Sequence, residues 1–313
     1  MSKWKVMITD SLEEVGVAAL SKKAEVSNSA GISPEDLLAQ VGEYDALVVR
    51  GRTKVTKEVI GAGKNLKVVG RAGVGVDNID LAAAQSAGVT VVNSPTATTN
   101  AVAELALALM MALLRHVAQA DASMKAGLWE KKQFGGSELD GKTLGLIGVG
   151  RIGCRVNDLA QAFGATVIGS DPFLSAEYFK EHCVEQVEME ELYERSDIIS
   201  LHVPLTPETR GLLNDEALSK MKRGVYIINT ARGDIINETA LLARLESGQV
   251  AGAGLDVFIK EPPGLTALVA HPNVIVTPHI GAQTIEAQRR AAEHIAEEVL
   301  RALGGEKLRW QIV

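Results

Sequence analysis

Short β-branched hydrophobic runs alternate with helical patterns along almost all of the 313 residues, and this alternation limits what the chain can fold into. In the first third, KVMIT, ALVVR, LKVVG and VTVVN read as buried parallel strands separated by helices. The pattern restarts after Gly141 with TLGLIGVG, ATVIGSD, DIISLHV, GVYIINT, VAGAGLDV and NVIVTPH. Repeated βα units imply a doubly wound α/β architecture, here occurring twice. A length of this order suits about two domains. No short-period repeat is present, which argues against a solenoid.

Bulk properties exclude several functions. A formal net charge of −7 argues against a nucleic-acid partner and against an anionic membrane, since either wants a basic face. It leaves room for a local basic pocket that takes a small anion. The run from Ala101 to Leu114, interrupted only by Glu104, is too short to span a bilayer and reads as a helix buried on most sides. The start, MSKWKVMITD, lacks the apolar core of a signal peptide. Cys154 and Cys183 make neither a disulfide framework nor a metal set, so a reducing cytoplasm and no metal are expected.

Within LGLIGVGRIG, Gly148, Gly150 and Gly153 form G-x-G-x-x-G. Such a match is weak alone, but an apolar strand precedes this one, a helix pattern follows, and the next strand ends in Asp171. Gly148 would make the tight turn, Gly150 would admit a pyrophosphate to the backbone, and Gly153 would let helix and strand pack closely. The helix start offers unpaired N–H groups to phosphates. A carboxylate at Asp171 suits the ribose hydroxyls of NAD and opposes the 2′-phosphate of NADP, so NAD is the expected cofactor. Cys154 lies in the first turn of that helix, where a thiolate is favoured, although packing is the commoner role of such a cysteine.

Three further segments, NTARGD, DVFIKEPP and TPHIGAQT, place polar groups just past apolar strands, where ligands bind in open α/β sheets. Arg232, Glu261 and His279 are therefore candidates for one site. Oxidising a secondary alcohol needs a base for the hydroxyl proton while a hydride leaves the same carbon, and histidine titrates in the right range. A carboxylate on the other ring nitrogen would fix the tautomer, as Glu261 could for His279. The planar fork of Arg232 suits a substrate carboxylate. The remaining histidines, His116, His182, His271 and His294, read as surface or helix positions.

These segments closely resemble the D-isomer-specific 2-hydroxyacid dehydrogenase family, and the likeness runs over essentially the whole chain. It implies that Arg232, Glu261 and His279 are the catalytic arginine, glutamate and histidine. It also implies NAD contacts from Val74, Arg151, Ile152, Asp171, the His202-Val203-Pro204 stretch, Thr230, Ala231, Asp256 and the turn from His279 through Gly281 and Ala282. The same resemblance carries most of the weight for the domain plan. Residues 1–96 and 284–313 are expected to form a flavodoxin-like substrate domain, into which a Rossmann NAD domain of residues 97–283 is inserted, with a cleft between them. The segment LRWQI is expected as a strand returning to the first domain.

Within the family, VVRGRTKVT, VVGRAGVGVDNIDL, AVAELALALMMALLR and SMKAGLWEKKQFGGSELDGKTLG look most like the branch that oxidises 3-phosphoglycerate to 3-phosphohydroxypyruvate, the entry step of serine synthesis. Arg50 and Arg52 flank Gly51 at a strand end, with Lys54 nearby, and could meet a phosphate. Backbone N–H groups at Val74 and Gly75 could hold the substrate carboxylate. Lys131 and Lys132 look like basic residues contributed across a homodimer, whose interface would use the helix from Ala101 and the WEKKQF segment. Thr98 departs from the asparagine of many relatives. Longer members carry C-terminal regulatory domains, one of them serine-binding; this sequence ends at LRWQIV, so either a short form or a truncated piece of a longer chain is expected. Two rivals stay open: another enzyme of the family, acting on hydroxypyruvate, glyoxylate or sulfolactate, and a non-catalytic NAD sensor.

Overall fold

The computed structural model describes residues 3–313. Twelve strands form two wholly parallel sheets. The first contains β1 (Trp4–Ile8), β2 (Ala24–Asn28), β3 (Ala46–Val49), β4 (Val68–Arg71) and β5 (Thr90–Asn93), in the order β2-β1-β3-β4-β5. The second contains β6 (Thr143–Ile147), β7 (Thr166–Ser170), β8 (Glu185–Gln186), β9 (Ile198–Leu201), β10 (Val225–Asn229), β11 (Val250–Leu255) and β12 (Val274–Val276), in the order β12-β11-β10-β9-β6-β7-β8. These are the flavodoxin-like and Rossmann-like doubly wound orders, the latter with one strand added. Each reverses direction of growth at a single point, between β1 and β3 in the first sheet and between β6 and β9 in the second.

The chain divides into two compact units, one running to Thr98 and resuming over Ala282–Val313, the other spanning Thr99–Gly281. In the first unit, the helix Ile285–Leu303 is capped by Thr284, whose hydroxyl accepts the Ala287 N–H at 3.1 Å. Its buried Ala287, Ala291, Ala292, Ile295, Ala296 and Val299 recur at helical spacing, with Ile295 and Val299 against β4 and Ala292 against Gly16 of the helix Glu14–Ser21. The approach is close: a Cβ on Gly70 in β4 would lie 2.4 Å from Val299 Cγ2. In the second unit, the apolar helix Thr99–Leu114 buries eight side chains, while Glu104 is exposed and accepts from Asn100 Nδ2 at 2.6 Å. No single helix among the described residues is long and apolar enough to cross a membrane.

LRWQI returns to the first unit, but not as the strand expected. It makes one antiparallel bridge, Gln311 to Val92, rather than a ladder. Backbone bonds from Ile312 to Val91 (2.8 Å) and from Asn93 to Trp310 (3.2 Å) hold it beside β5. The fully buried carboxylate of Glu298 anchors it, accepting from Arg309 Nε at 2.7 Å and from the Arg309 and Trp310 amides at 2.9 and 3.2 Å. That side-chain clasp replaces the strand pairing that the hydrophobic pattern suggests.

Candidate active site

The glycine loop follows β6, at the reversal point of the second sheet. Gly148 has φ +90°, and a Cβ there would fall 2.7 Å from the His202 carbonyl oxygen, so no other residue fits. A Cβ on Gly153 would sit 2.3 Å from the Gly148 carbonyl oxygen, which shows how tightly the helix Arg151–Ala162 packs on the loop. Gly150 differs, because nothing lies within 4 Å of its Cβ direction. It caps the helix with no side-chain acceptor, leaving the first amides available to an anion.

Asp171 and Cys154 both address the peptides of this loop. Asp171 Oδ2 accepts the Val149 N–H at 3.1 Å, and Oδ1 accepts the Phe173 N–H at 3.1 Å. The Cys154 thiol donates to the Val149 carbonyl at 3.1 Å and lies 3.4 Å from the Tyr178 hydroxyl. Burial pushes the Cys154 thiol up from its ordinary pKa, in keeping with the packing role rather than a thiolate at the helix start. His202 follows β9, with Nε2 2.9 Å from Ser200 Oγ; burial pushes its pKa down to about 4 and keeps the ring neutral. Val203 is partly buried and Pro204 exposed, while Arg151 and Ile152 are exposed and partly buried at the helix start.

Arg232, Glu261 and His279 follow β10, β11 and β12, three successive neighbours in the sheet, so their loops leave the same edge. Asn229, almost fully buried, shapes the first loop: its Oδ1 accepts the Ala231 N–H (3.0 Å) and its Nδ2 donates to the Arg232 carbonyl (2.9 Å). Beside it, Thr230 is buried with an Oγ1 that has no partner. Gly233 then runs against the next loop; a Cβ there would lie 1.9 Å from the Phe258 carbonyl carbon.

His279 Nδ1 and Glu261 Oε2 are 2.7 Å apart, and Glu261 Oε1 accepts the Phe258 N–H at 3.2 Å. The His279 backbone is left-handed, φ +54°, which a non-glycine residue adopts only when held there. Asp256 holds it. The Asp256 carbonyl accepts the His279 N–H (2.9 Å); its carboxylate accepts the Thr277 hydroxyl (2.6 Å) and the amides of Ile280 and Gly281 (both 2.8 Å). Asp256 is 1% exposed, so its observed role is to fix the histidine turn.

In the first unit, Asp10, Ser11, Ala30, Gly31, Arg50, Gly51 and Arg52 line a recess of about 360 Å³ at the carboxyl ends of β1, β2 and β3. Arg52 is tied into the wall, donating to Thr9 O (2.8 Å), Ile32 O (3.1 Å) and Asp10 Oδ1 (3.2 Å). The side chain of Arg50 is held more loosely, by Ser11 O at 3.4 Å and Gln283 Oε1 at 3.3 Å, and burial lowers its pKa. Asn78 Nδ2 supports the loop from below through Arg50 O (2.9 Å) and Thr53 O (2.6 Å). The Val74 carbonyl accepts from Asn93 Nδ2 at 2.7 Å; Gly75 beside it is partly buried, and Thr98 is buried. Lys131 and Lys132 lie exposed in a single 3-10 turn, Lys131–Gln133.

The family model of the D-isomer specific 2-hydroxyacid dehydrogenase NAD binding domain matches residues 107–281. The chain belongs to the D-isomer specific 2-hydroxyacid dehydrogenase family. Among its relatives is an Arabidopsis thaliana protein named D-3-phosphoglycerate dehydrogenase 2, chloroplastic, 50% identical over 98% of this chain and 49% of its own. The chain spans about half the length of the phosphoglycerate dehydrogenases it matches, between 49% and 58% for three of them. A Thermotoga maritima protein named hydroxypyruvate reductase is 47% identical over 97% of this chain and 100% of its own. The solved TT0316 protein of Thermus thermophilus superposes with a TM-score of 0.91 at 37% identity, covering 99% of this chain and 100% of the other.

The NAD-binding domain of this dehydrogenase family is built to suit its cofactor here. Gly150 leaves room beside the helix start, and the unpartnered Thr230 hydroxyl offers a hydrogen bond to a ligand. Asp171 keeps free lone pairs at the end of β7. Asp10, Asn78, Asn229 and Asp256 as a turn anchor escaped the sequence reading. Asp10 and Asn229 stand at strand ends, as Arg232 does, and that same rule could have found them. Among the described residues, no cluster of His, Cys, Asp and Glu could hold a metal ion.

Proposed function

We propose that this chain oxidises D-3-phosphoglycerate to 3-phosphohydroxypyruvate with NAD. The observation that carries the chemistry is the 2.7 Å contact between His279 Nδ1 and Glu261 Oε2. With Nδ1 donating to the carboxylate, Nε2 is left as the base, and it takes the proton of the substrate hydroxyl. Bound NAD supplies the hydride acceptor. Arg232 holds the substrate carboxylate with its planar fork and stabilises the carbonyl oxygen as it forms. Val74 and Gly75 offer backbone N–H groups to the same carboxylate. Asp171 takes the ribose hydroxyls, the amides from Gly150 to Gly153 take the pyrophosphate, and Thr230, Ala231, His202, Val203, Pro204, Gly281 and Ala282 line the cofactor.

The phosphate of the substrate is assigned to Arg50 and Arg52. Their recess lies at the reversal point of the first sheet, where open α/β sheets bind ligands. The names of the phosphoglycerate dehydrogenases among the relatives support this assignment. The working assembly is a cytoplasmic homodimer: Val117, Met124, Leu128 and Trp129 are at least half exposed along the helix Val117–Lys125 and the turn after it. In that dimer, Lys131 reaches the substrate of the partner subunit.

A second reading is favoured by the full-length match to the hydroxypyruvate reductase. It predicts reduction of an unphosphorylated three-carbon 2-oxo acid. The two are separated by measuring NADH formation from D-3-phosphoglycerate, D-glycerate and sulfolactate, with NADP in parallel. Preference for phosphoglycerate with NAD supports the first reading. Preference for D-glycerate supports the second, and no turnover of any of them would leave only a cofactor sensor.

A further inference from the structure

The carboxylate of Glu261 stands on a loop with little to hold it. Beyond β11 the chain runs from Val257 to Pro263 with no sheet partner. Phe258 is buried, but Ile259 is 51% exposed and Lys260 is exposed. A recess of about 500 Å³ opens beside Ile259, Lys260 and Pro263, so packed side chains do not back the loop on that side. A base that depends on a 2.7 Å contact to Glu261 needs this backbone fixed to within a fraction of an ångström.

Two consecutive amides carry the restraint. The Phe258 N–H is accepted by Glu261 itself, which closes the loop locally. The Ile259 N–H is accepted by Glu238 Oε1 at 2.9 Å, across 21 residues of sequence. Glu238 is the first residue of the helix Glu238–Glu246, whose Asn237 cap bonds the Ala240 N–H at 3.0 Å. A glutamate there is ordinarily explained by the helix dipole. Its carboxylate instead reaches the loop next to the one that carries Arg232, and Gly233 keeps the two backbones in contact.

We infer that Glu238 is a positioning residue for the hydride-transfer reaction, holding the Ile259 amide so that the Glu261 carboxylate stays on His279. This rests on the catalytic reading of Glu261 and His279 proposed above. In this inference Glu238 acts through the loop. The requirement is for a hydrogen-bond acceptor rather than a charge, so glutamine can meet it and alanine cannot.

The test is a set of four variants, E238A, E238Q, E261Q and E238A/E261Q, assayed for NADH formation from D-3-phosphoglycerate and D-glycerate. Cofactor affinity and thermal midpoint are measured on each. E238A is expected to lose about tenfold in kcat, equivalent to about 1.4 kcal/mol in the barrier, with KM for NAD within about twofold. E238Q recovers most of the activity, and E238A costs little further in the E261Q background. Wild-type activity in E238A overturns the inference, as does an undiminished tenfold loss in the E261Q background, which would mark a role independent of Glu261. So does a loss matched by a lower thermal midpoint and weaker NAD binding, which would mark a general structural role. Full activity in E261Q would instead overturn the catalytic reading, and the inference with it.

Discussion

Individual polar residues in this protein do their work by fixing backbone. Asp256, Asn229 and Asp10 are each buried, and each holds a loop that carries a more exposed side chain of the proposed site. Burying such a group costs free energy unless its hydrogen bonds are complete, and for Asp256 the Thr277 hydroxyl and two amides complete them. Resemblance pointed to Arg232, Glu261 and His279 because these types at strand ends have recognisable chemistry. The anchors were less legible, since a buried aspartate reveals its partners only once the turn is folded. His202 provides a pH test at this scale. Burial lowers its pKa from 6.5 to about 4, so the unfolded chain takes up the proton first as pH falls. Its contribution to stability is complete above pH 6.5 and is lost as pH drops towards 4. H202N should therefore flatten the dependence of the denaturation midpoint on pH between these values; an unchanged slope would show that His202 is not the group responsible.

At the level of elements, most strands were legible because parallel strands buried on both faces are continuous apolar runs, as in ALVV of β3. Two were not. β2, AEVSN, is an edge strand with mixed polarity, and β8 is two exposed residues, Glu185–Gln186. Neither carries the buried run that the eye looks for, although each pairs with the strand just before it in the chain. In the glycine loop, the tight turn at Gly148 and the close packing at Gly153 were legible in the sequence, and two substitutions test the proposed division between packing and binding. G153A must push the helix off the Gly148 carbonyl and should destabilise the protein by about 1–3 kcal/mol. G150A meets open space and ordinary backbone angles, φ −71° and ψ −162°, so denaturant stability should stay level or rise slightly. If Gly150 admits the pyrophosphate as proposed, the KM of G150A for NAD should rise at least about tenfold, because the added methyl would meet that group. Equal losses of stability in both variants would contradict this division.

For the whole molecule, the repeated βα alternation was enough to expect two doubly wound sheets, and both are present with all pairings parallel. The last segment lies in the first unit as expected, but beside β5 through a few backbone hydrogen bonds and the buried Glu298 rather than as a strand, and no hydrophobic pattern announces that clasp. The chemistry proposed above is transfer of a hydride from the carbinol carbon of a 2-hydroxy acid, with the hydroxyl proton going separately to His279. The most direct test is to supply D-3-phosphoglycerate deuterated at C2 together with NAD and to measure the mass of the reduced cofactor. One deuterium per turnover, recovered in the reduced nicotinamide, is the expected result. Deuterium released to solvent, or no reduced cofactor at all, would contradict the account.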